Sequence, residues 1–401
     1  MVFLLFFLLV AVLEAAEPFD FPIAIWYGES TDQSLQDLQI LKNGGFNLCF
    51  LNEKDSPRNL LLLREAEQIG INCILSEAAL DRFIFGSDLS FRRIDSLTQL
   101  YGRFRAFRGF LLFNQPTLND LPSFAELADF FNGKYPRLEC LTIARGLRFR
   151  DEAERRSYDT YLADLLRKLK IKHLIADNPG ILAGQLREEY FANLAALRRA
   201  AQQYERPFWA FVLLEPIGRP PMTPLAYIRM QVYSGLAFGA QGVIYYAFRS
   251  SPSSSRTATL VDSDGRLSNS FSYCVVVNQE IGRWAKLLLH CKSIAVYGSS
   301  IMPDVEPLPP LQLIKKIDAP GMLLGFFRSP ENETLLMLVN TNYRYGVRCR
   351  VFFADHCPGM EEIAKDFVEP YRIRFRSDDQ ERFAELIFKA GEGRLFRLYT
   401  R

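Results

Sequence analysis

The sequence has little of what a metal, redox or disulfide site requires. Its 401 residues include three scattered histidines and seven cysteines, and no two cysteines form a Cys-x-x-Cys pair. This spacing favours neither a zinc site nor a disulfide framework, so no metal is predicted. Several cysteines lie in apolar, strand-like runs, where we expect them to pack as small buried side chains. The seven are Cys49, Cys73, Cys140, Cys274, Cys291, Cys349 and Cys357.

A strong charge of either sign is also missing. The 48 basic and 46 acidic residues give a formal net charge of +2. No basic run and no nucleic-acid-binding motif stands out, so a nucleic-acid partner is not expected. Apolar residues make up 49% of the chain, enough for a large core. The length suits one large α/β domain with a smaller one.

Long hydrophobic runs are absent after the first residues. Residues 1–13 are almost wholly apolar, but a bilayer-spanning helix needs about 20 such residues. We therefore predict a signal peptide over residues 1–16 and an exported, periplasmic or extracellular protein with no membrane partner once the signal is removed. The basic residues that usually open a signal peptide are missing, so a mis-set start codon or a buried N-terminal segment is the alternative.

Strand-like and helix-like segments then alternate eight times. Most of the strand segments are apolar without polar alternation, which is typical of a parallel sheet covered on both faces. We predict an α/β fold, a (β/α)8 TIM barrel over residues 17–290. An open doubly wound sheet is the runner-up, but the turn at residues 28–31 is not the glycine-rich phosphate turn of that fold. The predicted strands are 21–30, 46–53, 71–77, 107–116, 138–144, 172–176, 207–215 and 242–249.

The pattern changes near residue 290. Short β-rich segments follow, separated by turns that contain proline, glycine and asparagine. This pattern predicts a small C-terminal antiparallel β-sandwich over residues 291–401. No pattern in the chain indicates an oligomeric state.

Polar and aromatic side chains gather where the barrel strands end. A (β/α)8 barrel places its chemistry at the C-terminal ends of its strands, and five of the eight strands here finish at or near an acid. Carboxylates and amides suit sugar hydroxyls, and aromatic rings suit sugar C–H faces, so we predict a carbohydrate ligand. The alternative for each ring is that it packs in the core. The predicted contacts are Trp26, Glu29, Glu53, Asn114, Asp177, Trp209 and Tyr246.

The fourth strand carries the most specific motif. Residues 109–116 end in Asn-Gln-Pro and resemble the fourth-strand signature of retaining (β/α)8 glycoside hydrolases, where Asn-Glu-Pro or Asp-Glu-Pro supplies the general acid/base. The similarity extends over most of the barrel to secreted bacterial proteins related to β-galactosidases. It implies action on O-glycosidic bonds of an oligo- or polysaccharide, without a cofactor. Residues 190–198, 207–211, 229–246 and 391–398 look like recurring blocks.

This resemblance also implies roles for two residues. It puts the nucleophile at the end of the seventh strand, at Glu215, and the acid/base at Gln115. Retaining hydrolysis requires two carboxyl groups about 5 Å apart. A glutamine side chain can donate a hydrogen bond but cannot transfer a proton, so a contribution of about 10²- to 10⁴-fold would be lost.

Three hypotheses follow from the amide at position 115. In the first, Glu53, Glu77 or Asp177 supplies the proton and the chain is a glycosidase. In the second, the barrel mouth binds sugar without turnover, as a pseudo-enzyme. In the third, the barrel is a structural or assembly component and its cleft is incidental.

Overall fold

A computed structural model describes most of the chain. The described residues are 20–28, 32–84, 91–147, 152–178, 180–182, 185–214, 224–249, 259–262, 264–309, 313–365, 369–378 and 381–399. Three sequence-based predictions lie outside them: the signal peptide at residues 1–16, Glu29, and the nucleophile Glu215.

Eight parallel strands close into a barrel. Strand β1 pairs in parallel with both β2 and β8, which completes the ring in the order β1-β8-β7-β6-β5-β4-β3-β2. The predicted TIM barrel is confirmed. The strands are β1 (Ile23–Gly28), β2 (Leu48–Lys54), β3 (Asn72–Glu77), β4 (Phe107–Asn114), β5 (Glu139–Ala144), β6 (Leu174–Ala176), β7 (Phe208–Leu213) and β8 (Val243–Tyr246).

Helices follow the strands in alternation. Two helices instead of one lie between β3 and β4, and a short hairpin (Ile181–Leu182 with Gln185–Leu186) precedes α7. The described helices are α1 (Ser34–Asn43), α2 (Ser56–Ile69), α3 (Ala78–Ile84), α4 (Phe91–Tyr101), α5 (Leu121–Lys134), α6 (Glu152–Leu169), α7 (Glu189–Gln203), α8 (Pro224–Ala237) and α9 (Asn269–Leu289).

The strands are apolar on both faces because each face packs in a different apolar core. In β2, Leu48 and Phe50 belong to the cluster inside the barrel, whereas Cys49 and Leu51 pack into the larger cluster under the helices. Successive side chains of a strand point to opposite faces. A buried parallel strand therefore shows a continuous apolar run in its sequence, although its residues serve two separate cores.

Two further sheets follow the barrel. A seven-stranded sheet has the order β10-β9-β12-β13-β19-β15-β16, and a four-stranded sheet has the order β11-β14-β18-β17. The pairs are antiparallel except for β9 with β10. The strands are β9 (Lys292–Gly298), β10 (Glu306–Pro307), β11 (Ile314–Ile317), β12 (Met322–Arg328), β13 (Thr334–Asn340), β14 (Val347–Phe353), β15 (Met360–Ile363), β16 (Tyr371–Arg372), β17 (Arg376–Asp378), β18 (Glu381–Phe388) and β19 (Gly393–Leu398).

The seven-stranded sheet packs on both of its faces. In β12, Leu324 and Phe326 share one apolar cluster with residues of the four-stranded sheet. The alternate residues Leu323 and Phe327 join the core beneath the barrel helices, where α8 contacts β12, β13 and β19. Both clusters are needed to bury strand β13, which has no exposed residue.

Strand β15 was not predicted from the sequence. Its sequence, Met-Glu-Glu-Ile, carries two adjacent acids, yet both are buried. Arg397 pairs with Glu361, and Arg394 pairs with Glu362, across the sheet from β19. Because each buried carboxylate has a cationic partner, the strand tolerates them. Among the described helices, none combines the length and the apolar content needed to cross a membrane.

The close approach of α8 to β12 depends on Gly325. A Cβ atom at this position would lie 2.1 Å from the carbonyl oxygen of Ala237. We expect Gly325→Ala to lower the free energy of unfolding by about 1–3 kcal/mol, the usual cost of overpacking. Gly282→Ala is the control: it lies inside α9 in open space and should raise stability by up to about 1 kcal/mol. Urea denaturation measures the free energy of unfolding of both variants. Equal changes in the two variants would contradict the close approach of α8 to β12 at Gly325.

The seven cysteines are free and buried, as predicted. Burial raises the pKa of the Cys291 thiol to about 11 and that of Cys349 to about 12. A raised pKa leaves little reactive thiolate near pH 8. Ellman's reagent should therefore label the native protein slowly and label seven thiols after unfolding in guanidinium. Rapid labelling of several thiols in the native protein would contradict the packing.

Candidate functional site

The end of β4 has an unusual backbone conformation. The strand ends at Asn114, and Gln115 follows with φ 59°, in the left-handed region. A residue other than glycine in this region is strained by about 1–3 kcal/mol, and such strain often occurs at functional sites. The Gln115 backbone N–H donates to the Ile143 carbonyl of β5 at 2.6 Å, which holds the turn in place.

The side chain of Gln115 reaches the end of β6. Its Nε2 donates to Oδ2 of Asp177 at 3.2 Å. Asp177 directly follows β6. Its backbone N–H donates to the carbonyl oxygen of Ala144, the last residue of β5, at 3.0 Å, and this bond fixes its position. Two residues predicted separately from the sequence are therefore in direct contact at the C-terminal rim of the barrel.

An open cavity of ≈ 400 Å³ lies beside this pair. It contains two basic and two acidic side chains together with polar groups from three strand ends and one helix. A site of this composition suits a polar ligand with many hydroxyl groups. The lining residues are Gln115, Arg145, Gly146, Leu147, Glu154, Ser157, Tyr158, Asp177 and Arg187.

Tyr161 of α6 links two of these strand ends. Its hydroxyl donates to the Pro116 carbonyl at 2.9 Å and accepts a bond from the Arg145 backbone N–H at 3.2 Å. The Arg145 guanidinium lies over the Tyr161 ring, 4.7 Å from its centre. This cation–π contact orients the guanidinium without using its hydrogen-bond donors.

The loop after β5 is held against Asp177. A Cβ atom at Gly146 would lie 1.9 Å from the Asp177 carbonyl oxygen, so a larger residue would separate the two segments. Next in the chain, the Leu147 backbone N–H donates to Oδ1 of the buried Asn193 at 3.0 Å. These two contacts fix the wall of the cavity formed by β5.

Tyr158 lines the cavity and has a buried hydroxyl. The residue is 4% exposed, and its hydroxyl has no hydrogen-bond partner among the described residues. Burial raises the pKa of Tyr158 well above its ordinary value, so the hydroxyl is neutral. Glu154, Ser157 and Tyr158 lie at i, i+3 and i+4 on one face of α6, which brings them together. An unsatisfied buried donor is costly unless a ligand or water supplies a partner.

A second cavity, of ≈ 300 Å³, lies on the other side of β4. The Trp26 ring at its edge stacks on Phe50 at 6.2 Å and contacts Tyr246 at 6.0 Å. The Tyr246–Ala247 peptide bond is cis. Asn114 lines this cavity whereas Gln115 lines the first, so the two amides separate them. The lining residues are Trp26, Asn52, Ser76, Asp81, Leu111, Leu112, Phe113 and Asn114.

Not every residue predicted for the site lies at the rim. Trp209 is fully buried near the start of β7, inside the barrel, where its ring contacts His173 at 5.0 Å. Glu53 is half-buried at the end of β2 and is not among the described residues that line either cavity. Glu77 is 4% exposed and accepts hydrogen bonds from Ser56 and Tyr101, inside a structural network.

Other residues of the site were missed from the sequence. Arg145 directly follows β5, so its position at the rim could have been predicted. It was missed because this strand does not end in an acidic residue. Tyr158 and Glu154 lie on α6 at helical spacing, a pattern that core residues share. Arg187 comes from the segment before α7, and only the fold brings it to the cavity.

Comparisons with known proteins show a likeness in fold. No protein-family model and no curated protein matches the chain. Among solved structures, a candidate alpha-galactosidase/melibiase from Bacteroides fragilis aligns with a TM-score of 0.54 at 9% identity, covering 96% of this chain and 80% of its own. Structural neighbours of the chain are glycoside hydrolases with a TIM barrel.

Two more of these neighbours align at lower scores. A glucosidase from Croceicoccus marinus has a TM-score of 0.46 at 9% identity, covering 96% of this chain and 98% of its own. The catalytic domain of xylanase C from Talaromyces cellulolyticus has a TM-score of 0.45 at 8% identity, with the same two coverages.

The strained backbone at Gln115 gives a stability prediction. Gln115→Gly should unfold at a higher urea concentration than Gln115→Ala, by about 1 kcal/mol, because glycine adopts φ 59° without steric cost. Both variants lose the amide contact with Asp177, so the comparison isolates the backbone. Equal stability of the two variants would show that the conformation is not strained.

Proposed function

We propose that the protein is carbohydrate-active and glycoside hydrolase-like, and that it acts on O-glycosidic bonds of an oligo- or polysaccharide with impaired acid catalysis. The observation that supports this proposal is the contact between Gln115 and Asp177 at the strand ends, where both residues line an open cavity. An amide occupies the position at which the resemblance implies the acid/base, and a carboxylate is its immediate neighbour.

Asp177 is the best replacement for the missing acid. Of the three acids considered from the sequence, Glu77 is buried in hydrogen bonds and Glu53 does not line either cavity among the described residues. Asp177 lines the first cavity and touches the amide that replaces the usual acid. The nucleophile would be Glu215, as the resemblance implies.

Sugar binding without turnover is the second candidate, and the amide at Gln115 favours it. Under either candidate, the two cavities on either side of Asn114 and Gln115 would hold neighbouring parts of the glycan. Trp26, whose ring contacts Tyr246, would supply an aromatic surface in the second cavity, where C–H faces of a sugar can stack.

The remaining predictions fit the same proposal. The two C-terminal sheets share one apolar cluster, which supports a β-sandwich over residues 291–401, joined to a barrel over residues 17–290. We propose that the protein is exported and meets its glycan outside the cytoplasm.

Restoring an acid at position 115 tests this function. Aryl glycosides with good leaving groups need little acid assistance. The wild type should therefore hydrolyse them, while Gln115→Glu should speed cleavage of natural glycans by about 10²-fold or more. In that variant two carboxyl groups lie side by side, so one should keep its proton to a higher pH, and kcat/KM should fall as that proton is lost.

Two further variants complete the design. Asp177→Asn should abolish the residual cleavage of natural glycans if Asp177 is the acid. Gln39→Glu, on the exposed surface of α1, makes the same chemical change away from the rim and should match the wild type. Sugar binding with turnover only in Gln115→Glu would favour the second candidate. Failure of wild type and Gln115→Glu alike to bind or cleave any glycan would refute a carbohydrate function.

A further inference from the structure

We infer that the cavity beside Gln115 binds a negatively charged group of the glycan, the carboxylate of a uronic acid residue, with Arg145 as its cation and Tyr158 as a hydrogen-bond donor. This inference rests on the proposed function, because it specifies the glycan that the barrel mouth takes.

The guanidinium of Arg145 is placed to bind an anionic group of a ligand. Its guanidinium is oriented by the ring of Tyr161, and no ion pair or side-chain hydrogen bond ties it to another described residue. A guanidinium carries five N–H donors in a planar fork that matches a carboxylate. Stacking fixes the plane of the fork and leaves its edge for a ligand.

Tyr158 supplies the second, independent observation. The residue lines the same cavity, and its buried hydroxyl has no hydrogen-bond partner in the part of the chain that the structure describes. Burial is the main cause of the raised pKa of Tyr158; the charge of Asp177 raises this pKa further, whereas the charge of Arg145 lowers it. A carboxylate bound by Arg145 would bring an anionic acceptor into the cavity that Tyr158 also lines.

The other charged groups of the cavity are already engaged. Arg187 lies 3.4 Å from Glu189, and Asp177 accepts from Gln115. Glu154 also has an interaction within the protein. Arg145 is thus the cation left to meet an anionic group, while Asp177 and Glu154 add acidic side chains to the lining that can also accept hydrogen bonds from sugar hydroxyls.

Paired ligands that differ only in charge test the inference. Isothermal titration calorimetry would compare short galacturonate, glucuronate and mannuronate oligosaccharides with their methyl esters. One acidic ligand should bind the wild type about 10- to 100-fold more tightly than its ester, the usual effect of charge-assisted hydrogen bonds. High ionic strength should reduce the preference, and Arg145→Gln should abolish it.

Tyr158→Phe separates binding from folding. Removal of an unpartnered buried hydroxyl should leave the free protein as stable as the wild type or more stable, while the acidic ligand binds about two- to tenfold more weakly. A purely structural Tyr158 would lose stability and keep its affinity. Arg156→Gln, at an exposed α6 residue outside the cavity lining, is the matched control and should behave as the wild type.

The outcomes distinguish this inference from the proposed function. Equal binding of acid and ester would refute the charged ligand and leave the carbohydrate function standing. Binding of a sulfated galactose oligosaccharide without binding of any uronate would overturn the carboxylate and assign the cavity to sulfate. If neither charged nor neutral glycans bind, the inference fails together with the proposed function.

Discussion

The closed ring of parallel strands is the constraint on which the site depends. Pairing of β1 with both β2 and β8 satisfies the backbone groups of every barrel strand and brings all eight C-terminal ends to one rim. Residues as distant in sequence as Gln115 and Asp177 thereby come within hydrogen-bond distance. Strands β4 and β6 flank β5 in the barrel wall, and this strand order brings the two residues together.

The C-terminal sheets pack against α8, one of the helices that surround the barrel. Gly325 lies against the carbonyl of Ala237 in α8, and Gly391 lies against that of Ala226 in the same helix. Glycine allows backbone to approach backbone this closely. The sheets therefore pack against the helices that surround the barrel, and these contacts leave the described rim cavities open to a ligand.

The barrel could be predicted from the sequence because a buried parallel strand has a recognisable apolar run. Asn114 and Gln115 could be predicted to lie at the barrel rim because they end such a run. The sequence could not show which face of a strand each residue occupies, or how far along the barrel axis the residue lies. Trp209 looks like a rim ring in the sequence, yet it lies inside the barrel near the start of β7. The buried acids Glu361 and Glu362 were missed because their burial depends on arginine partners from another strand, β19. Arg145 was missed because the strand that it follows does not end in an acid.

The amide at position 115 has a physical consequence for its neighbour Asp177. With Asp177 only 3.2 Å away, a glutamate there would set two carboxyl groups side by side, and their repulsion would favour a shared proton. Glutamine removes that repulsion and donates a hydrogen bond to Asp177 instead. This hydrogen bond orients the carboxyl group of Asp177 at the wall of the cavity. Gln115 and Asp177 thus form a hydrogen-bonded pair at the rim, and such a pair is suited to contact hydroxyl groups of a ligand.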